Sequence, residues 1–299
     1  MEPMVLYPSS SPRRSGPLYR GAPVIAVLSV LALAGCSSGG GGDTPGSASG
    51  QGAGDAATLT AEVVAEYPSD PTSFVQGLEV MPEGDLLVST GREGSSRIYR
   101  TPLTGAVSVG DGAGPTGAPV PTVSVDLDPE FFGEGSTRHG DTVWQLTWKD
   151  GVAVKRDAAT LQETGRVQYP GEGWGLCTNG ERLVMSDGSS TLTFRDPETF
   201  GETGRVEVTL DGEPVTQLNE LDCSDGEVWA NIWQSDRIVR ISQATGEVTG
   251  VLDTSGLDLP ARDRRGADVL NGIARVPGTP DHYLLTGKLW DTVYEVTVR

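Results

Sequence analysis

Trp174-Gly175-Leu176 opens a run, residues 174–209, that carries four period-two strand signals: Trp174–Cys177, Arg182–Ser186, Thr191–Arg195 and Gly204–Thr209. The residues between them, Asn179-Gly180, Asp187-Gly188 and Asp196-Pro197, have hairpin-turn chemistry. The opening theme is a polar or aromatic residue, usually followed by a small residue and an aliphatic one. It returns at Gln76-Gly77-Leu78, Glu134-Gly135-Ser136, Asn219-Glu220-Leu221 and Asn271-Gly272-Ile273. Successive spacings of 58, 40, 45 and 52 residues lie near the ~40–50 residues of a four-stranded propeller blade. The expected fold is all-β, a five-bladed β-propeller.

The last unit, residues 271–299, has room for three strands only: Gly272–Val276, Tyr283–Thr286 and Thr292–Val298. The run from Thr60 to Tyr67 belongs to no unit. As an N-terminal strand added to the last blade it would close the ring and leave no open edge where the ends meet. Two segments break the pattern: an extended loop at 105–121, rich in Gly and Pro, and a charged excursion at 255–268 leading into Asn271.

Residues 1–35 read as a lipoprotein signal peptide. Arg13, Arg14 and Arg20 precede an apolar stretch, and Leu33-Ala34-Gly35-Cys36 resembles a lipobox, with Cys36 as the lipidated residue. Residues 36–57, rich in Gly, Ser, Ala and Asp, form a flexible tether that cannot bury enough apolar surface to fold. The propeller is then residues 58–299, a single domain, exported and held by lipid on the outer face of a bacterial cytoplasmic membrane, or periplasmic or extracellular. Removing residues 1–35, with three Arg against Glu2, takes the formal charge from −19 to −21. Such a surface disfavours nucleic acid and anionic lipid, so the lipid anchor would be the sole membrane contact. A closed ring points to a monomer.

Outside the cytoplasm Cys177 and Cys223, close behind two repeat starts, are either a disulfide or two small buried side chains; their spacing leaves both open. His139 and His282, the two histidines, stand alone, and no cysteine pair has zinc-ligand spacing. No metal site is expected, although Asp126, Asp128 or channel carbonyls leave room for a structural calcium. The Gly-x-Ser-x-Gly at 35–39 falls in the lipobox region and has no strand-turn-helix context.

Propeller inner strands surround a channel, so the leading residues of the five triplets meet at one mouth. Gln76, Glu134, Trp174 and Asn219 would face Trp148, Trp233 and Lys288, which end second strands. Aromatic walls around a few polar groups describe a small-molecule pocket; the structural alternative is a hydrophobic plug filling the axis. The segments Phe74–Leu78, Phe132–Gly135, Gln145–Lys149, Tyr169–Leu176, Leu218–Leu221, Ala230–Gln234, Val269–Ala274 and Thr286–Trp290 together resemble the glutaminyl-peptide cyclotransferases of plants and bacteria. The resemblance runs from about residue 63 to the C-terminus, and Pro170-Gly171-Glu172-Gly173-Trp174-Gly175 is its most distinctive element. One departure is Val75, where Thr is commoner.

That resemblance implies a metal-independent propeller enzyme, requiring no cofactor, that converts the N-terminal glutamine of a peptide or protein to pyroglutamate with release of ammonia. It implies Glu134, Lys288, Asn219 and Gln76 as catalytic residues and Phe132, Trp148, Trp174 and Trp233 as substrate-binding ones. The chemistry suits them. Nucleophile and electrophile lie in one residue, so an aromatic cage can fold the side chain onto its amine, and one semi-buried carboxylate can take and return a proton. The competing readings are a non-catalytic peptide- or sugar-binding propeller lipoprotein and a lactone-type hydrolase. The hydrolase would need several channel carboxylates around a metal.

Overall fold

The computed structural model describes residues 56–109 and 114–299. The signal, Cys36 and nearly all of the tether lie outside the described residues. Five sheets follow one another along the chain and form the blades of a β-propeller. Blade one runs outward from Val75–Val80 through Asp85–Thr90 and Arg97–Pro102 to Val123–Asp126. Blade two holds Gly133–His139, Thr142–Thr147, Val152–Asp157 and Glu163–Gln168. Blade three holds Leu176–Thr178, Leu183–Met185, Thr191–Arg195 and Glu202–Glu207. Blade four consists of Leu218–Ser224, Glu227–Ile232, Arg237–Ser242 and Val248–Asp253. Blade five contains Leu270–Arg275, His282–Gly287 and Thr292–Val298. Each innermost strand packs against those of the two neighbouring blades, and the innermost strand of blade five against that of blade one, so the ring closes.

Closure uses the N-terminal run as expected. Ala61–Pro68 pairs antiparallel with Thr292–Val298, from Ala61 opposite Val298 to Pro68 opposite Thr292. The preceding Ala57–Leu59 does something the sequence reading missed: it pairs parallel with Val248–Asp253 and so extends blade four. One N-terminal segment thus latches two blades. Leu59 fills a seat between them, in a cluster with Trp229, Ile273, Trp290 and Tyr294. Gly250 makes that seat, because a Cβ there would stand 2.7 Å from the Leu59 side chain.

Within the expected loop at 105–121, Val107–Ser108 is a short strand that joins blade five through Ala61–Pro68. The segment at 255–268 is less polar than its charges suggest, since Leu259 and Ala261 are buried in the core. In blade three the inner strand begins at Leu176 rather than Trp174, and the outer strand ends at Glu207 rather than Thr209. Trp174 instead leads into the strand, its N–H donating to the Ser186 carbonyl. A disulfide joins Cys177 to Cys223 and ties the inner strands of blades three and four.

Candidate active site

The four blades whose inner strands begin with a polar triplet residue share one local irregularity. The pairing of first and second strands shifts between Val75 and Gly77, Gly133 and Ser136, Leu218 and Leu221, and Leu270 and Ile273. These are β-bulges, which re-aim a side chain out of the ordinary alternation. They fall on Gln76, Glu134, Asn219 and Asn271, so the polar residues turn toward the axis while the strands on either side stay paired. The residue just after each second strand is brought alongside by a matching backbone bond: Gly91, Trp148, Trp233 and Lys288 donate to the carbonyls of Phe74, Phe132, Gln217 and Val269, each at 2.9 Å. At Gly91 there is no room for a side chain, since a Cβ would lie 2.1 Å from the Phe132 ring.

The second triplet position is small for a physical reason. A Cβ on Gly135 would stand 2.6 Å from the Trp174 carbonyl oxygen, and one on Gly175 2.1 Å from that of Asn219. Inner strands come that close at the axis. Blade four breaks the rule with Glu220, whose carboxylate crosses the channel and accepts the N–H groups of Leu78 at 3.1 Å and Ile273 at 2.7 Å. The sequence reading assigned Glu220 no role, although it is the one large residue at that position. Burial pushes its carboxyl well above the usual carboxylate range.

All eight residues expected at the site line a single cavity of about 340 Å³ at the channel mouth, together with Phe74, Gln234, Asp268 and Val269. Trp174 and Trp233 meet edge to face with centroids 5.5 Å apart, and Phe132 lies 5.5 Å from Trp148. Gln76 Nε2 donates to Glu134 Oε1 at 2.9 Å, and Gln76 Oε1 accepts from Asn271 at 3.0 Å. The Lys288 ammonium lies over the Phe74 ring, 4.8 Å from its centroid. Asn219, 3% exposed, has a side-chain oxygen with no protein partner.

Residues 29–298 match the family model described as glutamine cyclotransferase. The chain belongs to the glutamine cyclotransferase family. It is 37% identical over 242 residues to the glutaminyl-peptide cyclotransferase of Arabidopsis thaliana, covering 80% of this chain and 71% of that one. Its structure is similar to that of Myxococcus xanthus glutaminyl cyclase, with 35% identity and a TM-score of 0.72, over 82% of this chain and 98% of the other. Members of the family are acyltransferase-type enzymes, and this chain is one of them.

In this cyclotransferase the electrostatics centre on Glu134. Burial, to 4% exposure, drives its carboxyl well above the ordinary range; Lys288 opposes that shift and Glu172 adds to it. Lys288 is moved the other way, below the usual lysine range, by burial, with Glu134 and Asp268 pulling it back. The two charged groups therefore lean toward each other in proton affinity, the arrangement found where protons are exchanged. The expectation of a semi-buried glutamate gives way to a buried one, and behind its backbone carbonyl Ser89, Gln145 and Arg156 form a polar chain. Ser89 donates to the Glu134 carbonyl, Gln145 donates to Ser89 at 2.9 Å, and Arg156 donates to Gln145 at 3.0 Å.

Asp126 and Asp128 are exposed, and Asp128 accepts the N–H of Glu130 at 3.3 Å, a turn role. Among the described residues no group of three or more His, Cys, Asp or Glu is placed to hold an ion. Glu172, Asp268 and Asn271 were not among the expected site residues. Glu172 sat in the most distinctive motif and Asn271 in the fifth triplet, and Asp268 ends the charged excursion at 255–268 that leads into Asn271.

Proposed function

We propose that this enzyme cyclises the N-terminal glutamine of peptides or proteins to pyroglutamate and releases ammonia, without a metal, with Glu134 carrying the proton. The observation that supports the reading most directly is the buried carboxylate held by Gln76 inside an aromatic cavity that also contains a lysine. The free α-amine attacks its own side-chain carbonyl carbon, forming the ring C–N bond. Glu134 takes a proton from the attacking nitrogen and returns it to the departing side-chain nitrogen, which leaves as ammonia. Charge that develops on the amide oxygen is met by the Lys288 ammonium.

Gln76 has both ends of its amide engaged, which suits holding Glu134 rather than meeting substrate. The unpartnered oxygen of Asn219 suits accepting from the substrate amine. Phe132, Trp148, Trp174 and Trp233 press the glutamine side chain toward its own nitrogen, replacing chain freedom by a near-attack geometry. The same proposal includes export through residues 1–35 and lipidation at Cys36. Partition of the mature protein into detergent, lost in Cys36→Ala, is the expected result.

The deciding experiment measures ammonia and a 17-dalton mass loss (that of ammonia) from a glutamine-starting peptide, with and without chelator. Turnover that resists chelator and falls about 10²–10⁴-fold in Glu134→Gln is expected. Absence of turnover by the folded protein would favour a binding propeller instead, and loss with chelator would remove the metal-free mechanism.

A further inference from the structure

Glu172 has no part in the reaction just described and does not line the cavity, yet it is bonded to two residues of the cavity wall. Its Oε2 accepts the indole N–H of Trp148 at 2.9 Å and that of Trp174 at 3.0 Å. Trp148 follows the second strand of blade two and Trp174 precedes the first strand of blade three. An indole has one donor and no acceptor, so each ring can answer to one partner, and here both answer to the same atom. Hydrogen bonds to a carboxylate are the short and strong kind.

The loop carrying Glu172 is itself fixed. The Gly173 N–H donates to the Trp148 carbonyl at 3.0 Å, and the Tyr169 hydroxyl donates to the Thr147 carbonyl at 2.6 Å. Gly173 is pressed against Tyr169, since a Cβ there would lie 2.1 Å from the hydroxyl oxygen. The carboxylate therefore has a defined place from which to hold two rings. We propose that Glu172 is the positioning residue of the pocket: by holding both indoles on one oxygen it sets the separation of Trp148 and Trp174, and with it the width of the slot that receives the glutaminyl side chain. The substrate half of this statement rests on the cyclase reading; the clamp does not.

The clamp also brings a negative charge to the reacting groups. Lys288 and Glu172 are the charges that act on Glu134, in opposite senses. This separates the two roles of Glu172 by experiment. Glu172→Gln keeps an acceptor oxygen but removes the charge, whereas Glu172→Ala removes both.

Steady-state kinetics on a glutamine-starting peptide, and acrylamide quenching of tryptophan fluorescence without substrate, are measured on the full chain and both variants. Thermal melts verify that each variant is folded. Glu172→Ala is expected to raise KM about tenfold, the size of a small misplacement of binding groups, and to make the tryptophans more quenchable. Glu172→Gln is expected to hold kcat/KM within about threefold, to quench like the wild type, and to move the acid limb of the pH profile down. An Ala variant with wild-type KM and quenching would overturn the clamp. So would a Gln variant as impaired and as quenchable as Ala, because charge would then be the working property. If the wild type shows no turnover, the cyclase reading fails alone, and the quenching comparison still decides whether Glu172 holds the rings.

Discussion

Glu134 and Lys288 lie in one cavity with shifted affinities of opposite direction, and the pH dependence follows with a definite sign. Glu134 must be ionised to take the proton, so activity falls as pH drops through its raised pKa, above the usual carboxylate range. Lys288→Met removes the group that lowers that pKa, so the acid limb moves to higher pH, opposite to the shift expected of Glu172→Gln. The same substitution is expected to lower kcat about 10²–10³-fold by removing transition-state charge support. A pH–rate series on the two variants checks both directions. Seven of the eight site residues were legible at this scale because they open triplets or stand at the ends of second strands, positions defined by local pattern, whereas Phe132 came only with the family resemblance. Asp268 was legible only as the end of the charged excursion at 255–268, because a loop without a period does not say which of its residues reaches the cavity.

The inner strands do two jobs, and their bulges separate them. At the bulges Gln76, Glu134 and Asn219 line the pocket; further along, the strands line the other end of the channel, where Glu79 and Asp222 lie near Glu220. Burial raises Glu79 to about 7 and Asp222 to about 6. Carboxyls raised on folding stabilise the protein below their unfolded pKa values, and that contribution is lost as pH rises through the folded ones. Stability is therefore expected to decline from about pH 4 to pH 7. Asp222→Asn is expected to flatten the lower part of that decline and to leave peptide turnover unchanged, as urea melts and rates across this range would report. The triplets were visible in sequence but the bulges were not. A bulge is a mismatch between two strands, and single-strand alternation carries no trace of it.

Across the whole molecule the ring is held by two devices that join distant parts of the chain: the N-terminal latch over blades four and five, and the disulfide between blades three and four. The cysteines are 46 residues apart, a loop whose closure is worth about 2–4 kcal/mol. Replacing both by Ala is therefore expected to lower the melting temperature by about 5–15 °C without changing the acid limb of the pH profile, as scanning calorimetry and kinetics would test. From its residues alone the chain determined the five antiparallel units, a closing strand within a residue of the observed Ala61–Pro68 and, Phe132 apart, the choice of pocket residues, because alternation and turn chemistry act over a few neighbours. Only the tertiary structure decided that Leu59 bridges two blades, that Cys177 and Cys223 meet, that Glu220 spans the axis, and that one oxygen of Glu172 serves two tryptophans. Each of these is a contact between chemically ordinary groups, and its existence depends on how closed sheets bring distant backbone to within hydrogen-bonding or van der Waals reach.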